Sequence, residues 1–319
     1  MALQGSGPIS LAQIQAELGG DNPISLSEYY RGGAYTIPYN TGVPASGLID
    51  LNDFYGAAPY FDITMSSSYQ GLNLYSYAVG LGWDGDPVRL TINSGVYIWS
   101  DSTANAALII SSDFNGKLEI VNYGYIIGKG GEGGSGAGYG GRPPAGQNGG
   151  PAINNAATGV TLLNASGAFI AGGGAGGYEN YGGSAGGAGG SIGNVGGNGG
   201  YSERWSQGGF GGGAGGGGGS SYDWSSGPDG GGAGGGGGRI LTGTGGAAGD
   251  AAGYHIGDTG GSYGNNAPNN GDGRHGGGGG GWGASGSSGN IYGGGSGGAA
   301  ITGTSITVTN NGTIYGSQA

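Results

Sequence analysis

The sequence predicts a mainly β and irregular protein in three parts. Residues 1–56 form an attachment segment of short capped helices, and residues 57–127 a small β domain. Residues 128–319 form a polyglycine II helix bundle that ends in aromatic loops. Three observations lead there. Glycine fills 93 of 319 positions, concentrated after residue 127 in runs such as 211–219 and 230–238. Small residues punctuate those runs every third position, as in Ala185, Ala188, Ser191 and Asn194. One helix-start motif occurs three times before residue 57.

That motif reads Ile9-Ser10-Leu11-Ala12-Gln13-Ile14, Ile24-Ser25-Leu26-Ser27-Glu28-Tyr29 and Ile49-Asp50-Leu51-Asn52-Asp53-Phe54. Ser or Asp stands at the N-cap, with Gln, Glu or Asp three residues on, which is a capping box. An isoleucine before each cap and a large apolar residue at the fourth helical position make a hydrophobic staple. Glycine follows each helix at Gly19, Gly32 and Gly56. Helices this short are expected to build little core alone. The segment then docks on a partner or on a second copy through Ile9, Leu11, Ile14, Ile24, Leu26, Tyr29, Ile49, Leu51 and Phe54. The alternative is a clasp folded onto the next domain.

In residues 57–127 the apolar alternation of Val88, Leu90 and Ile92, and of Leu118 and Ile120, marks strands. Asp84-Gly85-Asp86-Pro87, Ser94-Gly95 and Asn115-Gly116 mark turns, and the Asn-Gly pair predicts a hairpin between 108–114 and 117–121. Trp83, Trp99 and the tyrosines of this part read as packing residues.

A glycine-rich half is ordinarily a flexible linker. The period of three instead suits an extended left-handed helix of three residues per turn, which makes no internal hydrogen bonds. Ordering glycine costs roughly 0.5–1 kcal/mol more than ordering alanine, while a net hydrogen bond contributes about 1 kcal/mol. Nearly every amide must therefore pair with a neighbouring helix, so the fold is a bundle of many strands.

Three strand–turn–strand stretches begin at Val121-Asn122-Tyr123-Gly124, Leu163-Asn164-Ala165-Ser166 and Thr309-Asn310-Asn311-Gly312. They are expected to meet at one end of that bundle. Aliphatic interruptions (191–195, 239–242 and 299–302) fall at one end, and longer aromatic ones at the other. The aromatic loops supply a candidate recognition surface: Tyr139, Arg142, Tyr178, Tyr181, Arg204, Trp205, Tyr222, Trp224, Tyr254, His255, Tyr263, Arg274, His275, Trp282 and Tyr292. Aromatic and Arg side chains on short loops over a rigid scaffold give large contact area for little lost entropy. The competing reading has them capping the bundle ends.

Other function classes are disfavoured. The net charge of −11 is wrong for a nucleic-acid binder. No cysteine exists to supply a thiolate ligand, a nucleophile or a disulfide. Only His255 and His275 are histidines, without metal-ligand or triad spacing. Residues 124–129 fall one residue short of a phosphate loop, and no Ser or Thr follows Lys129. Carboxylates are too sparse for a glycosidase pair. No apolar run is long enough for a membrane span, and no signal peptide precedes the first helix. Asn164-Ala165-Ser166 and Asn311-Gly312-Thr313 fit glycosylation sequons but read as turn chemistry. No enzyme activity, cofactor or metal is expected.

The glycine runs 208–219 and 230–238, separated by aromatic loops, resemble the distal adhesins of T-even-type phage tail fibres. The triple Ile-Ser-Leu motif resembles the N-terminal segment of phage tail structural proteins. Residues 83–95 and 121–131 resemble other glycine-rich tail and fibre proteins. The resemblance implies a polyglycine II sandwich whose loops bind a bacterial outer-membrane protein or surface glycan. It implies attachment to other tail or tail-fibre subunits through residues 1–56, and a place in the virion at the tail or tail-fibre tip. The rival readings are a structural or decoration virion protein, an ice-binding protein with flat Ala/Thr/Ser faces, and a polysaccharide-degrading enzyme.

Overall fold

Each of the three N-terminal motifs nucleates a helix where its cap predicts one. In the computed structural model, which describes residues 3–38, 40–133, 146–176, 221–222, 230–231, 279–286 and 294–319, the first is α1 (Leu11–Leu18). The amide of Gln13 donates to the Ser10 hydroxyl, and the Ser10 amide donates to Gln13 Oε1 at 2.8 Å. The other two copies are single 3-10 turns, Leu26–Tyr29 and Leu51–Phe54. Asp50 and Asp53 repeat the reciprocal cap at the third, whereas Ser25 makes no side-chain cap bond at the second.

These helices build more core than their length suggests. Ile14, Tyr29 and Phe54, the three fourth-position residues, are all fully buried together with Ile9, Leu18 and Val43. Tyr29 meets Phe54 edge-on with ring centroids 6.0 Å apart, and its hydroxyl donates to the Gly19 carbonyl at 2.7 Å. Burying each such side chain contributes about 1.5–3 kcal/mol. Expected on an outward docking face, Ile9, Ile14, Tyr29 and Phe54 point inward, because three staples share one small core. Asn40 ties its far side, exchanging hydrogen bonds with both backbone groups of Ala58.

From Phe61 the chain winds through three parallel sheets in a fixed order. The first turn is β1 (Phe61–Met65), β2 (Tyr69–Gln70) and β3 (Leu72–Asn73). After α2 (Leu74–Gly80) the second is β4 (Val88–Ile92), β5 (Tyr97–Trp99) and β6 (Leu108–Ile110). The third is β7 (Leu118–Asn122), β8 (Tyr125–Ile127) and β9 (Ile153–Asn155). Next come β10 (Thr161–Asn164) and β11 (Phe169–Ala171). A separate antiparallel pair, β12 (Ser221–Tyr222) and β13 (Gly230–Gly231), stands outside the sheets. Finally β14 (Ile301–Gly303), β15 (Thr307–Asn310) and β16 (Thr313–Tyr315) close the fold.

The sheet orders β1-β4-β7-β10-β15, β2-β5-β8-β11-β16 and β3-β6-β9-β14 describe a three-sided parallel solenoid. The alternation read from Val88, Leu90, Ile92, Leu118 and Ile120 holds, since all five are buried. Identical registers stack them into columns, such as Leu90, Ile120, Leu162 and Val308 on one side and Ile98, Ile126, Ile170 and Ile314 on another. The expected meeting of the three strand–turn–strand stretches is seen here: β7, β10 and β15 lie side by side, as do β8, β11 and β16.

The predicted hairpin at Asn115-Gly116 does not form. β6 and β7 lie in different sheets, and each pairs only with parallel neighbours. Asn115 has φ −51 and ψ 117, and Gly116 has φ 65, the pattern of a type II turn rather than the type I′ turn of hairpins. The Asn115 side chain accepts from the Thr158 amide at 2.7 Å, tying this corner to the corresponding corner of the next turn.

Another corner carries a buried amide ladder. Asn122 Nδ2 donates to Asn164 Oδ1 at 2.9 Å, and Asn164 Nδ2 donates to Asn310 Oδ1 at 2.8 Å. Asn122 and Asn164 are fully buried. Replacing Asn164 with leucine removes the side-chain acceptor of the fully buried Asn122 amide, and a buried unpaired polar group costs roughly 1–3 kcal/mol. The expected outcome is a loss of about 2 kcal/mol in denaturant unfolding, and Asn164→Asp should recover part of it.

On the outside of the first sheet, Arg89 pairs with Asp62 at 2.8 Å and lies 4.9 Å over the Tyr60 ring. Burial, and then the neighbouring Glu119 carboxylate, push the Tyr60 phenol above its ordinary range.

Candidate functional site

The glycine-rich segments leave the solenoid from its second sheet. Residues 128–133 continue β8 and residues 172–176 continue β11, so the first glycines inherit the parallel pairing of the strands before them. The Gly128 and Gly131 amides donate to Ala171 and Gly174 at 2.9 and 2.8 Å. The Gly150 and Gln147 amides donate to Lys129 and Glu132 at 2.7 and 2.8 Å. The Gly173 and Gly176 amides donate to Gly150 and Gln147, both at 2.9 Å, while Gly298 and Gly295 donate to Gly173 and Gly176. In every one of these pairs the partners shift by three residues, in the same sense between 128–131 and 171–174 and in opposite senses in the other three.

No side chain fits between such backbones. A Cβ on Gly149 would lie 1.8 Å from the Gly173 carbonyl oxygen, and one on Gly176 would lie 1.8 Å from that of Glu132. The contacts run backbone to backbone, so the glycine requirement here is one of space.

Of the predicted recognition residues, Trp282 is the one whose side chain the structure describes, and it is not exposed. Its relative accessibility is 0%. It packs with Ile127 and Ala171 against Tyr97, Tyr125, Phe169 and Tyr315. Those four rings form a ladder on the second sheet, with centroids 4.6, 5.9 and 6.3 Å apart along it. Trp282 therefore anchors the segment 279–286 to the solenoid, because this ladder offers an indole a large apolar bed. Tyr222 lies in β12, described by its backbone. Tyr139, Arg142, Tyr178, Tyr181, Arg204, Trp205, Trp224, Tyr254, His255, Tyr263, Arg274, His275 and Tyr292 lie outside the described residues.

A second candidate surface is the N-terminal groove of about 520 Å³ lined by Pro8, Leu26, Ile49, Asp50, Leu51 and Tyr55. Of the predicted attachment residues, Leu11, Ile24, Leu26, Ile49 and Leu51 keep part of their surface in solvent. Sequence reading missed Leu48, which is 91% exposed beside this groove in the chain. It sits one residue ahead of the motif, after Gly47, where the staple pattern gives it no role. Exposed Tyr75, Val79 and Leu81 on and after α2 were likewise missed; only the solenoid's pairing shows that they face out.

Residues 60–212 match the family model of the phage tail fibre adhesin Gp38. This stretch is similar to a phage tail fibre adhesin module. A chain in the crystal structure of the gp37-gp38 adhesin tip complex of the bacteriophage S16 long tail fibre is similar over 100% of both chains. Its identity is 21% and its TM-score 0.50, a likeness of fold. No match is found among curated proteins. The matched residues span β1 to β11 and the first glycine segments, and include every rung of the two ladders except Asn310 and Tyr315. The three capped helices lie ahead of them. Among the described residues no group of three His, Cys, Asp or Glu side chains gathers to hold a metal, and no helix is long and apolar enough to cross a membrane.

Proposed function

We propose that the whole chain is the receptor-binding adhesin of a phage tail fibre, non-catalytic and placed at the fibre tip. The adhesin match over residues 60–212 carries this reading. The solenoid is its rigid base. The glycine segments form a polyglycine II bundle, a reading supported by partners that shift in steps of three and by backbones too close for a side chain. Loops between the glycine runs, bearing Arg204, Trp205, Tyr222 and Trp224, contact an outer-membrane protein or surface glycan of the bacterium. Trp282 is removed from that surface and assigned to anchoring.

Residues 1–56 attach the adhesin to other tail-fibre subunits. Their own buried core supports this, because it makes the segment a preformed unit that can dock without ordering first.

Exchanging residues 201–207 and 220–229 for those of a related adhesin tests the loop assignment. Host range is expected to follow the donor loops, with particle yield unchanged. Unaltered host range in fully assembled particles would remove the loops from the receptor site.

A further inference from the structure

The insertion between β11 and β14 leaves the solenoid at Gly172 and returns to it at Ala300, and one short stretch bonds to both points. The Tyr315 carbonyl accepts from the Gly172 amide at 2.9 Å. Two residues on, the Ser317 carbonyl accepts from the Ala300 and Ile301 amides at 2.9 and 3.2 Å. The Ala319 amide donates back to the Ile301 carbonyl at 3.2 Å, which is the bonding pattern of a parallel strand. Residues 317–319 thus run along β14 on the side opposite β9. Gly316, between these bonds, has backbone close on two sides. A Cβ there would lie 2.6 Å from the Gly298 carbonyl oxygen, and one on Gly283 would lie 2.4 Å from the Gly316 Cα. The Gly316 φ of 111° is also one that alanine rarely adopts. The Tyr315 ring supplies the end rung of the ladder on which Trp282 packs. Exit, return and the Trp282 segment all meet at residues 315–319.

We infer that residues 315–319 are a latch on the neck of the glycine insertion, holding its segments in register on a solenoid that holds itself. The latch works through its main chain. Ser317, Gln318 and Ala319 are exposed, and each of the four bonds joins backbone to backbone. The solenoid has its own support, because β1 to β11 pair among themselves over columns of buried side chains. The glycine segments rely instead on hydrogen bonds spaced three residues apart, each contributing about 1 kcal/mol. Release of the neck is therefore felt along the glycine segments before it is felt in the sheets.

The test is hydrogen exchange followed by mass spectrometry, on the full chain and on a variant lacking residues 317–319. Peptides covering 147–150, 173–176 and 295–298 are expected to exchange about tenfold faster or more in the shortened chain, as local opening becomes easier. Peptides covering β1, β4 and β7 are expected to keep wild-type protection. Gly316→Ala, which keeps the full length, becomes the deciding variant if the shortened chain does not fold, and the same pattern is expected of it. Ser317→Ala combined with Gln318→Ala leaves the main-chain bonds in place and should exchange as wild type. Unchanged exchange of the glycine segments in the deciding variant overturns the inference. Equal loosening of β1, β4 and β7 overturns it too, since the stretch would then support the whole fold rather than the neck. Loosening by the side-chain pair alone would likewise refute a main-chain latch. The measurement involves no receptor, so its failure leaves the adhesin reading standing.

Discussion

Replacing Trp282 with alanine is expected to destabilise the chain by about 3–5 kcal/mol, the usual range for emptying a buried Trp site. The indole is fully buried against Ile127, Ala171 and the ladder of Tyr97, Tyr125, Phe169 and Tyr315. Its removal leaves a cavity on a flat sheet face, where rigid strands limit collapse. The neighbouring amides of Gly280 and Gly283 donate to Ala175 and Gly172, so loosening Trp282 also loosens the central glycine segment. On the proposed adhesin function, adsorption to host cells should fall with it, even though a fully buried indole offers no surface to a receptor. Trp282→Phe separates the two roles. An anchor tolerates phenylalanine with a modest loss of stability and near-normal adsorption, as judged by thermal melting and binding to cells. A receptor contact would lose adsorption while the melting temperature held.

Local chemistry was legible wherever a few neighbouring residues decide the outcome. Ser10 with Gln13, and Asp50 with Asp53, specify their caps within four residues, and the caps form. The alternation of Leu90 and Ile120 specifies a buried face, and that face is buried. Which strand lies beside which is set elsewhere. Asn115-Gly116 suits a hairpin or a sheet corner equally well, and the choice falls to the columns that Leu118 completes with Val88 and Ile120 with Leu90 and Leu162. Parallel pairing joins residues far apart in sequence, such as Leu162 with Val308, so no window of the sequence contains the signal.

The same limit explains Trp282. In sequence it resembles Trp205 and Trp224, each set in a glycine-rich stretch. Only the position of the Tyr97–Tyr315 ladder separates an anchor from an exposed side chain. Asn122, Asn164 and Asn310 were visible as repeated turn residues, but their amide ladder depends on the register of three strands from distant parts of the chain. The staple residues erred in the opposite sense. Ile14, Tyr29 and Phe54 were read as attachment residues of a segment with little core of its own, because nothing local says that three staples converge.

Gly173→Ala should rank close behind Trp282→Ala in cost, although it adds a single methyl group. Alanine is the better residue in most elements, and replacing glycine by it stabilises where the backbone allows. Here the added carbon would stand 1.8 Å from the Lys129 carbonyl oxygen and 2.3 Å from its carbon. Gly173 is held on both sides, donating to Gly150 and accepting from Gly298 at 2.8 Å, so retreat breaks hydrogen bonds. Overpacking of a tight interior typically costs 1–3 kcal/mol, and an immovable backbone neighbour places this case near about 3 kcal/mol. Gly176→Ala, one step of three away and facing Glu132 in the same manner, should behave alike. Ala175, between them, already carries a methyl group in full burial, so the segment excludes side chains by position rather than by polarity. Denaturant unfolding of the single variants checks the expectation. If Gly173→Ala proves neutral or stabilising, the close backbone packing inferred from the spacing of three is wrong, and the rigid support proposed for the receptor loops goes with it.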